Sequence, residues 1–306
     1  VIKEYKNGVQ ALSGLNLSVK QGELFSLLGQ NGAGKSTLIR ILTTYLKPTS
    51  GNIMMFGKDI EKEAAAIRAE IACVSQQTSI DTYLSLEENM LFQSRLYKIP
   101  KAEALDRMEK LITAFGLQQY RKYPVSSYSG GVKRRLDIAL NMMTNPKLLF
   151  LDEPTVGMDI QSRQLMWEMI SQIRNDFGTT VFLTTHYLEE ADNLSDTICI
   201  MKEGKEVIQG TPLELRAYLR QDTVQIHFPN SSTTKQYLPQ FRLHFHEQDI
   251  YAQNALIVIN THNSKTDLEK AVCFLLQEKI PFTGIEITQP TLEDVFLRLT
   301  SKREEE

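Results

Sequence analysis

Cysteine is scarce in this chain, tryptophan scarcer, and long apolar runs are missing. The 306 residues hold three cysteines, Cys73, Cys199 and Cys273, and a single tryptophan. Each cysteine lies in or beside an apolar run (IACV, TICIM, AVCFLL). An odd count without paired spacing argues against a disulfide framework or a zinc site. The three are expected to be buried, reduced thiols in a cytoplasmic compartment. No apolar run approaches the roughly 18 residues that a membrane span needs, and no signal-peptide pattern opens the chain. The first residue is Val1 rather than Met, so the sequence is compatible with a trimmed piece of a longer chain, and a membrane span in a partner stays open. Charge of one sign is lacking too. Lys and Arg total 34 against 37 Asp and Glu, a net −3 that gives no bulk attraction to nucleic acid or an anionic membrane. With 42% hydrophobic and 23% charged residues the chain reads as an ordinary soluble globular protein. Its length allows one large domain or two ordinary ones.

What is present is punctuated regularly. Residues 15–28 read as two short strands: LNLSV alternates, Lys20-Gln21-Gly22 turns, and LFSLL is apolar. Leu38, Ile41, Leu42 and Tyr45 recur at helical spacing, and Pro48 and Gly51 end that helix. Residues 61–70 and 101–115 read as amphipathic helices, and Ser85 with Glu88 is a capping-box signal. Gly130-Gly131 opens a helix that Asn145-Pro146 stops. Strand KLLFL, helix 160–175, strand TTVFLTT, helix 187–194 and strand TICIM follow, an alternation that implies parallel βαβ units. Beyond about Leu219 the segments DTVQIHF, ALIVIN and PFTGIEI, helix 265–278 and a last helix capped by Thr291 and Asp294 read as a small α+β domain without a chemical motif. The closing KREEE reads as a solvated tail. The expected division is therefore 1–219 and 220–306.

Three stretches carry chemistry. GQNGAGKST, Gly29 to Thr37, matches the phosphate-binding loop. Its residues Gly29, Gln30, Asn31, Gly32, Ala33, Gly34, Lys35, Ser36 and Thr37 lie between an apolar strand and a helix, as that loop requires. Glycines let successive N–H groups turn inward around an anion, and the helix start adds its dipole. Lys35 is expected at the β- and γ-phosphates, and the Ser36 hydroxyl on Mg²⁺. The strand LLFLDE ends in two acids at the sheet edge where α/β ligands bind. Neighbours on a strand point oppositely, so Asp152 and Glu153 are expected to divide metal holding and general-base work. The third stretch, Tyr128-Ser129-Gly130-Gly131, is a weaker anion site at a helix start. Lys133-Arg134-Arg135 is expected to be a solvated first turn.

Together these residues resemble an ATP-binding cassette (ABC) transporter ATPase. GQNGAGKST is the phosphate loop and LLFLDEPT the acidic strand. YSGGV is similar to the signature loop, usually Leu-Ser-Gly-Gly-Gln, with Tyr128 and Val132 replacing its Leu and Gln. Val156-Gly157-Met158-Asp159 resembles the D-loop. Gln76 falls at the Q-loop glutamine, His186 at the switch histidine, and Tyr5 at the aromatic that stacks on adenine. The motifs cover roughly residues 1–215. YSGGVKRRLDIAL, TTHYLEEAD and PTLEDVFLRLT resemble the daunorubicin-resistance, ABC-2 type exporter branch.

The resemblance implies a P-loop NTPase fold. It would have a RecA-like parallel-sheet core, an antiparallel β subdomain, a helical subdomain at about 80–145, and the C-terminal α+β domain. It implies ATP and Mg²⁺ as cofactors. Tyr5 would stack on adenine, Ser36, Gln76 and Asp152 surround the metal, Glu153 polarise water and His186 meet the γ-phosphate. Ser129, Gly130, Gly131 and Asp159 would act across a head-to-tail dimer, a homodimer being expected. A separate transmembrane permease is the expected partner, with no nucleic acid, and the location the inner face of the cell membrane. Tyr83, Leu84, Leu86, Met90, Leu91 and Phe92 would line the permease groove or else form helical core. Two alternatives stay open. A soluble non-transport ABC ATPase is disfavoured by the single cassette and the absent coiled coils. A degenerate cassette that binds ATP without hydrolysis is disfavoured by intact Lys35, Asp152, Glu153 and His186.

Overall fold

A computed structural model describes residues 1–218, 222–245, 249–261 and 263–300. The chain divides into two compact units, Val1–Pro212 and Leu213–Glu306. The expected boundary at 219/220 and the KREEE tail lie outside the described residues.

The first unit opens with an antiparallel pair, β1 (Ile2–Glu4) and β2 (Gln10–Ser13). Then follow β3 (Leu24–Gly29), α1 (Lys35–Leu42), the short pair β4 (Met54–Met55) and β5 (Lys58–Asp59), α2 (Ala64–Arg68) and β6 (Ile71–Val74). Three helices come next, α3 (Leu86–Leu96), α4 (Lys101–Ala114) and α5 (Gly130–Met142). The unit continues with β7 (Leu148–Asp152), α6 (Ile160–Phe177), β8 (Thr180–Thr185), α7 (Leu188–Leu194), β9 (Thr197–Lys202) and β10 (Lys205–Gly210). Strands pair in the order β10-β9-β3-β8-β7-β6, all parallel except β10, which returns antiparallel beside β9. Every residue of β3 and β8 is buried, as helices on both sides of a parallel sheet demand. Alternation along β7 sends Leu149 and Leu151 into one core with Met90, Leu111, Leu136 and Met166. It sends Leu148 and Phe150 into the other, with Leu38, Ile41 and Phe182.

Several local expectations meet their structure. Ser85 Oγ accepts from Glu88 N–H, and the Glu88 carboxylate accepts from Ser85 N–H at 2.8 Å, so α3 starts on a capping box. Others are corrected. LNLSV forms no strand. Leu15, Leu17 and Val19 do turn inward, but alternation decides only which side faces the core, and a strand also needs a ladder partner; the paired strand here is β2, a few residues earlier. Of the cysteines only Cys199 is buried; Cys73 and Cys273 are exposed. Cys73 sits on the edge strand β6 and Cys273 on α10 (Ser264–Gln277) of the second unit, and an apolar run does not say which of its residues face outward. Arg134 is also buried, at 6% exposure, rather than solvated.

The second unit holds all but the first residue of α8 (Pro212–Ala217), then β11 (Asp222–His227), α9 (Ser231–His244), β12 (Ile250–Gln253), β13 (Leu256–Thr261), α10, β14 (Gly284–Thr288) and α11 (Leu292–Thr300). Its sheet runs β12-β13-β11-β14, antiparallel throughout, so β11 to β14 form a split βαββαβ motif. The helices α9 and α10 supply Phe241, Phe245 and Phe274 to a core with Val224, Ile226 and Ile259. Sequence pattern missed α9, which is rich in Ser and Thr and carries Pro239, and β12, where one residue of four is buried.

Candidate functional site

The phosphate loop leaves the C-terminal end of β3 and runs straight into α1. No side chain caps α1 and its first turn holds no acid, so its leading amides have no side-chain acceptor and suit an anion. Gly34 has φ +108°, and a Cβ there would lie 2.5 Å from Ala11 O, so only glycine fits. Gln30, Asn31, Gly32 and Ser36 are exposed, while Ala33 is buried and its carbonyl accepts from Gly204 N–H. Lys35 is buried. Its Nζ donates to Gly29 O at 2.6 Å and to Gln30 O at 3.2 Å, and lies 3.8 Å from Glu153 Oε1. Burial lowers the Lys35 pKa, against the opposing charges of Glu153 and Asp152. The Tyr5 hydroxyl pairs with Thr37 Oγ1 at 3.3 Å, which brings its ring beside the loop.

The parallel register aligns Asp152 with Thr184, so the ends of β6, β7 and β8 deliver Gln76, Glu153 and His186 to one edge of the sheet. Glu153 is their hub. Gln76 Nε2 donates to Glu153 Oε2 at 3.0 Å, and His186 Nδ1 lies 3.3 Å from Glu153 Oε1. Simple strand alternation does not separate the two acids. Glu153 has already left β7 with φ +46°, and its N–H donates to Thr184 O at 3.0 Å. Asp152 instead accepts from Thr184 Oγ1 at 2.5 Å. Thr184 thus sets both acids, a role that nothing in the sequence pattern marked. Arg134 is the second residue missed: its guanidinium donates to Ser75 O and, at 3.1 Å, to Asp152 O, joining α5 to the ends of β6 and β7.

Among the described residues no group of three or more His, Cys, Asp or Glu side chains could hold a metal. The hydroxyl of Ser36, the amide of Gln76 and the carboxylate of Asp152 are hard oxygen donors, which fit Mg²⁺ completed by phosphate oxygens rather than an all-protein cage.

Ser129, Gly130, Gly131 and Asp159 form a second group. Ser129 Oγ accepts from Val132 N–H at 3.4 Å at the start of α5. A Cβ on Gly131 would lie 3.0 Å from Ser162 Oγ, and Asp159 caps α6 by accepting from Ser162 N–H at 2.9 Å. Among the described residues no hydrogen bond or ion pair joins this group to Lys35 or Glu153. The two departures from the usual signature point inward: Tyr128 and Val132 are buried, while Ser129 and Gly130 are exposed.

The family model described as "ABC transporter" matches residues 12–156. The daunorubicin/doxorubicin resistance ATP-binding protein DrrA of Streptomyces peucetius is 36% identical over 98% of this chain and 90% of its own length. The chain belongs to the ABC transporter ATP-binding proteins. This ABC ATPase is also similar in structure to cbiO1 of Clostridium perfringens, part of the transporter complex cbiONQ, at TM-score 0.67 and 28% identity, covering 80% of this chain and 93% of that one. It is similar as well to a dimeric ATP-binding cassette in a post-hydrolysis state bound to ADP and Pi, at TM-score 0.61 and 27% identity, covering 69% of this chain and 96% of that one. It is therefore a nucleotide-binding, ATP-hydrolysing subunit of an ABC transporter, in the branch of the drug-resistance exporters.

Proposed function

We propose that this ATPase drives a separate transmembrane permease, as a homodimer closed by MgATP on the inner face of the cell membrane. The observation that carries the reading is the Glu153 carboxylate held among Lys35, Gln76 and His186. Lys35 donates to two loop carbonyls and lies beside Glu153. A triphosphate cradled by residues 29–37 would compete for that ammonium and release Glu153 to act as general base on the attacking water. Gln76 and His186 orient the carboxylate, and His186 would donate to the γ-phosphate. Tyr5 stacks on adenine. Ser36, Gln76 and Asp152 would hold Mg²⁺, which when bound neutralises charge on the β- and γ-phosphates. Positioning and electrostatics do most of the work.

Ser129, Gly130, Gly131 and Asp159 complete the nucleotide site of a second copy, which fits their exposure and their separation from the chain's own Lys35. The permease reading is supported by Tyr83, Phe92, Leu96 and Tyr97, exposed at 91%, 61%, 63% and 56% on α3 and its flanks. Of the expected groove residues Tyr83 and Phe92 are among these four, whereas Leu86 and Met90 are core instead. Among the described residues no helix is long and apolar enough to cross a membrane.

The test is ATP hydrolysis with Mg²⁺ by wild type and Glu153→Gln, with the size-exclusion mass of each in ATP. Turnover of the variant should fall by about 10²–10⁴ while it elutes as an ATP-bound dimer. Near-wild-type hydrolysis would remove Glu153 from its role.

A further inference from the structure

A buried carboxylate with no part in that reaction lies behind the site. Glu190, in the first turn of α7, is fully buried. Its Oε1 accepts from Thr155 Oγ1 at 2.8 Å and from Trp167 Nε1 at 3.2 Å. Among the described residues its Oε2 has no hydrogen-bond partner, and neither does the buried Nε of Arg163 on α6, the helix that also carries Trp167. Burial pushes the Glu190 pKa up, against the Thr185 and Thr155 hydroxyls, the Trp167 N–H and the Arg163 charge. A half-satisfied buried acid is expensive compared with an apolar side chain, so its position needs a reason other than packing.

The geometry supplies one. Thr155 follows Glu153 by two residues in the turn after β7. A non-glycine residue at φ +46° is strained and persists only where its surroundings over-determine it. One end of the turn is held where Glu153 N–H donates to Thr184 O, and the other where Met158 N–H donates to Thr155 O at 3.2 Å. The Thr155 side chain, 1% exposed, is pinned to Glu190. Glu190 also sits on the helix that His186 leads into: Tyr187 N–H donates to Thr185 Oγ1 at 3.0 Å, and Ala191 N–H donates to Tyr187 O at 3.2 Å. One carboxylate therefore joins the turn that carries Glu153 to the helix that follows His186.

We propose that Glu190 is a positioning residue which, through Thr155, holds Glu153 in its left-handed conformation and in register with His186. The proposal rests on the role of Glu153 given above. It makes turnover depend on a hydrogen bond that touches neither nucleotide nor the reacting atoms.

The full chain is tested as Thr155→Val and Glu190→Leu, which remove donor and acceptor, and as Thr155→Ser and Glu190→Gln, which keep them. The two deletions should each lower kcat by about 10- to 100-fold, with KM for ATP within about twofold, the pattern of an interaction that matters in the transition state alone. The two conservative variants should keep most of wild-type kcat. The double variant should lose less than the product of the two deletions, since the Thr155 hydroxyl that Glu190→Leu would orphan is gone, while Trp167 Nε1 loses its acceptor equally in both. Trp167, the single tryptophan, reports the fold: its emission maximum should stay put in Thr155→Val, where its bond to Glu190 survives. Wild-type kcat in Thr155→Val overturns the proposal, as does an equal loss in Thr155→Ser, and this variant decides even if Glu190→Leu does not fold. Glu153→Gln runs beside them. If it is inactive while Thr155→Val is normal, only the positioning role fails; if it hydrolyses normally, the reading of Glu153 fails.

Discussion

Tyr128 stands where the signature loop usually has leucine, and its hydroxyl donates to Tyr120 O at 2.5 Å and Tyr123 O at 2.8 Å. Both acceptors lie in the segment before the loop, so the hydroxyl fastens the loop from behind while Ser129 and Gly130 face outward. Tyr128→Phe should destabilise the chain by about 1–2 kcal/mol by taking its hydroxyl donor from Tyr123 O, while Tyr120 O keeps the Tyr123 N–H at 3.1 Å. The melting temperature should fall with turnover little changed; a loss of turnover at unchanged stability would place Tyr128 in the ATP site. Glu190 yields a pH prediction. Burial raises its folded pKa above the unfolded value of about 4.3. Stability from this group is then full below the unfolded pKa and lost as pH rises through the folded one. Glu190→Gln removes that loss, so its melting temperature relative to wild type should climb as pH rises above the unfolded value. A difference that stays flat would mean the carboxylate is not destabilised by burial. Motif residues such as Lys35 and Glu153 were readable because spacing encodes them. Thr184, Arg134 and Glu190 were not, because each acts through a partner distant in sequence.

At the scale of elements, the strand–loop–helix from β3 to α1 was legible almost whole, since an apolar strand, a glycine loop and a helical repeat are local patterns. Gly34 is its most constrained point. Gly34→Ala must place a Cβ at 2.5 Å from Ala11 O with φ +108°, so the loop has to shift. ATP affinity should drop by at least about tenfold, which is only about 1.4 kcal/mol, as measured by nucleotide titration; unchanged affinity would show that the loop tolerates the move. The elements that escaped notice are those whose identity is a pairing. LNLSV alternates yet has no ladder, whereas β10 and β12 gain their strand character from β9 and β13. The exposed edge position of Cys73 is the same effect: an apolar run marks a strand, not its place in the sheet.

At the scale of the molecule, the proposed ATP-driven pairing would link stability to concentration. A ligand or partner that binds only the folded state raises the melting temperature by mass action. Glu153→Gln in MgATP should therefore melt higher as protein concentration rises, and should lose that dependence in ADP. A concentration-independent melt in ATP would argue that the second group, Ser129 to Gly131 with Asp159, does not serve another copy. The order of motifs along the chain settled the family and the reaction, because each motif depends on residue type at short range. Tertiary structure alone decided that Glu153 is held by three residues from separate strands and loops. It also decided that Arg134 is buried between strand ends and that Glu190 anchors the turn behind the site. Those facts come from the parallel register of β6, β7 and β8 and from helices packed across the sheet, and contacts so distant along the chain leave no period or spacing to read.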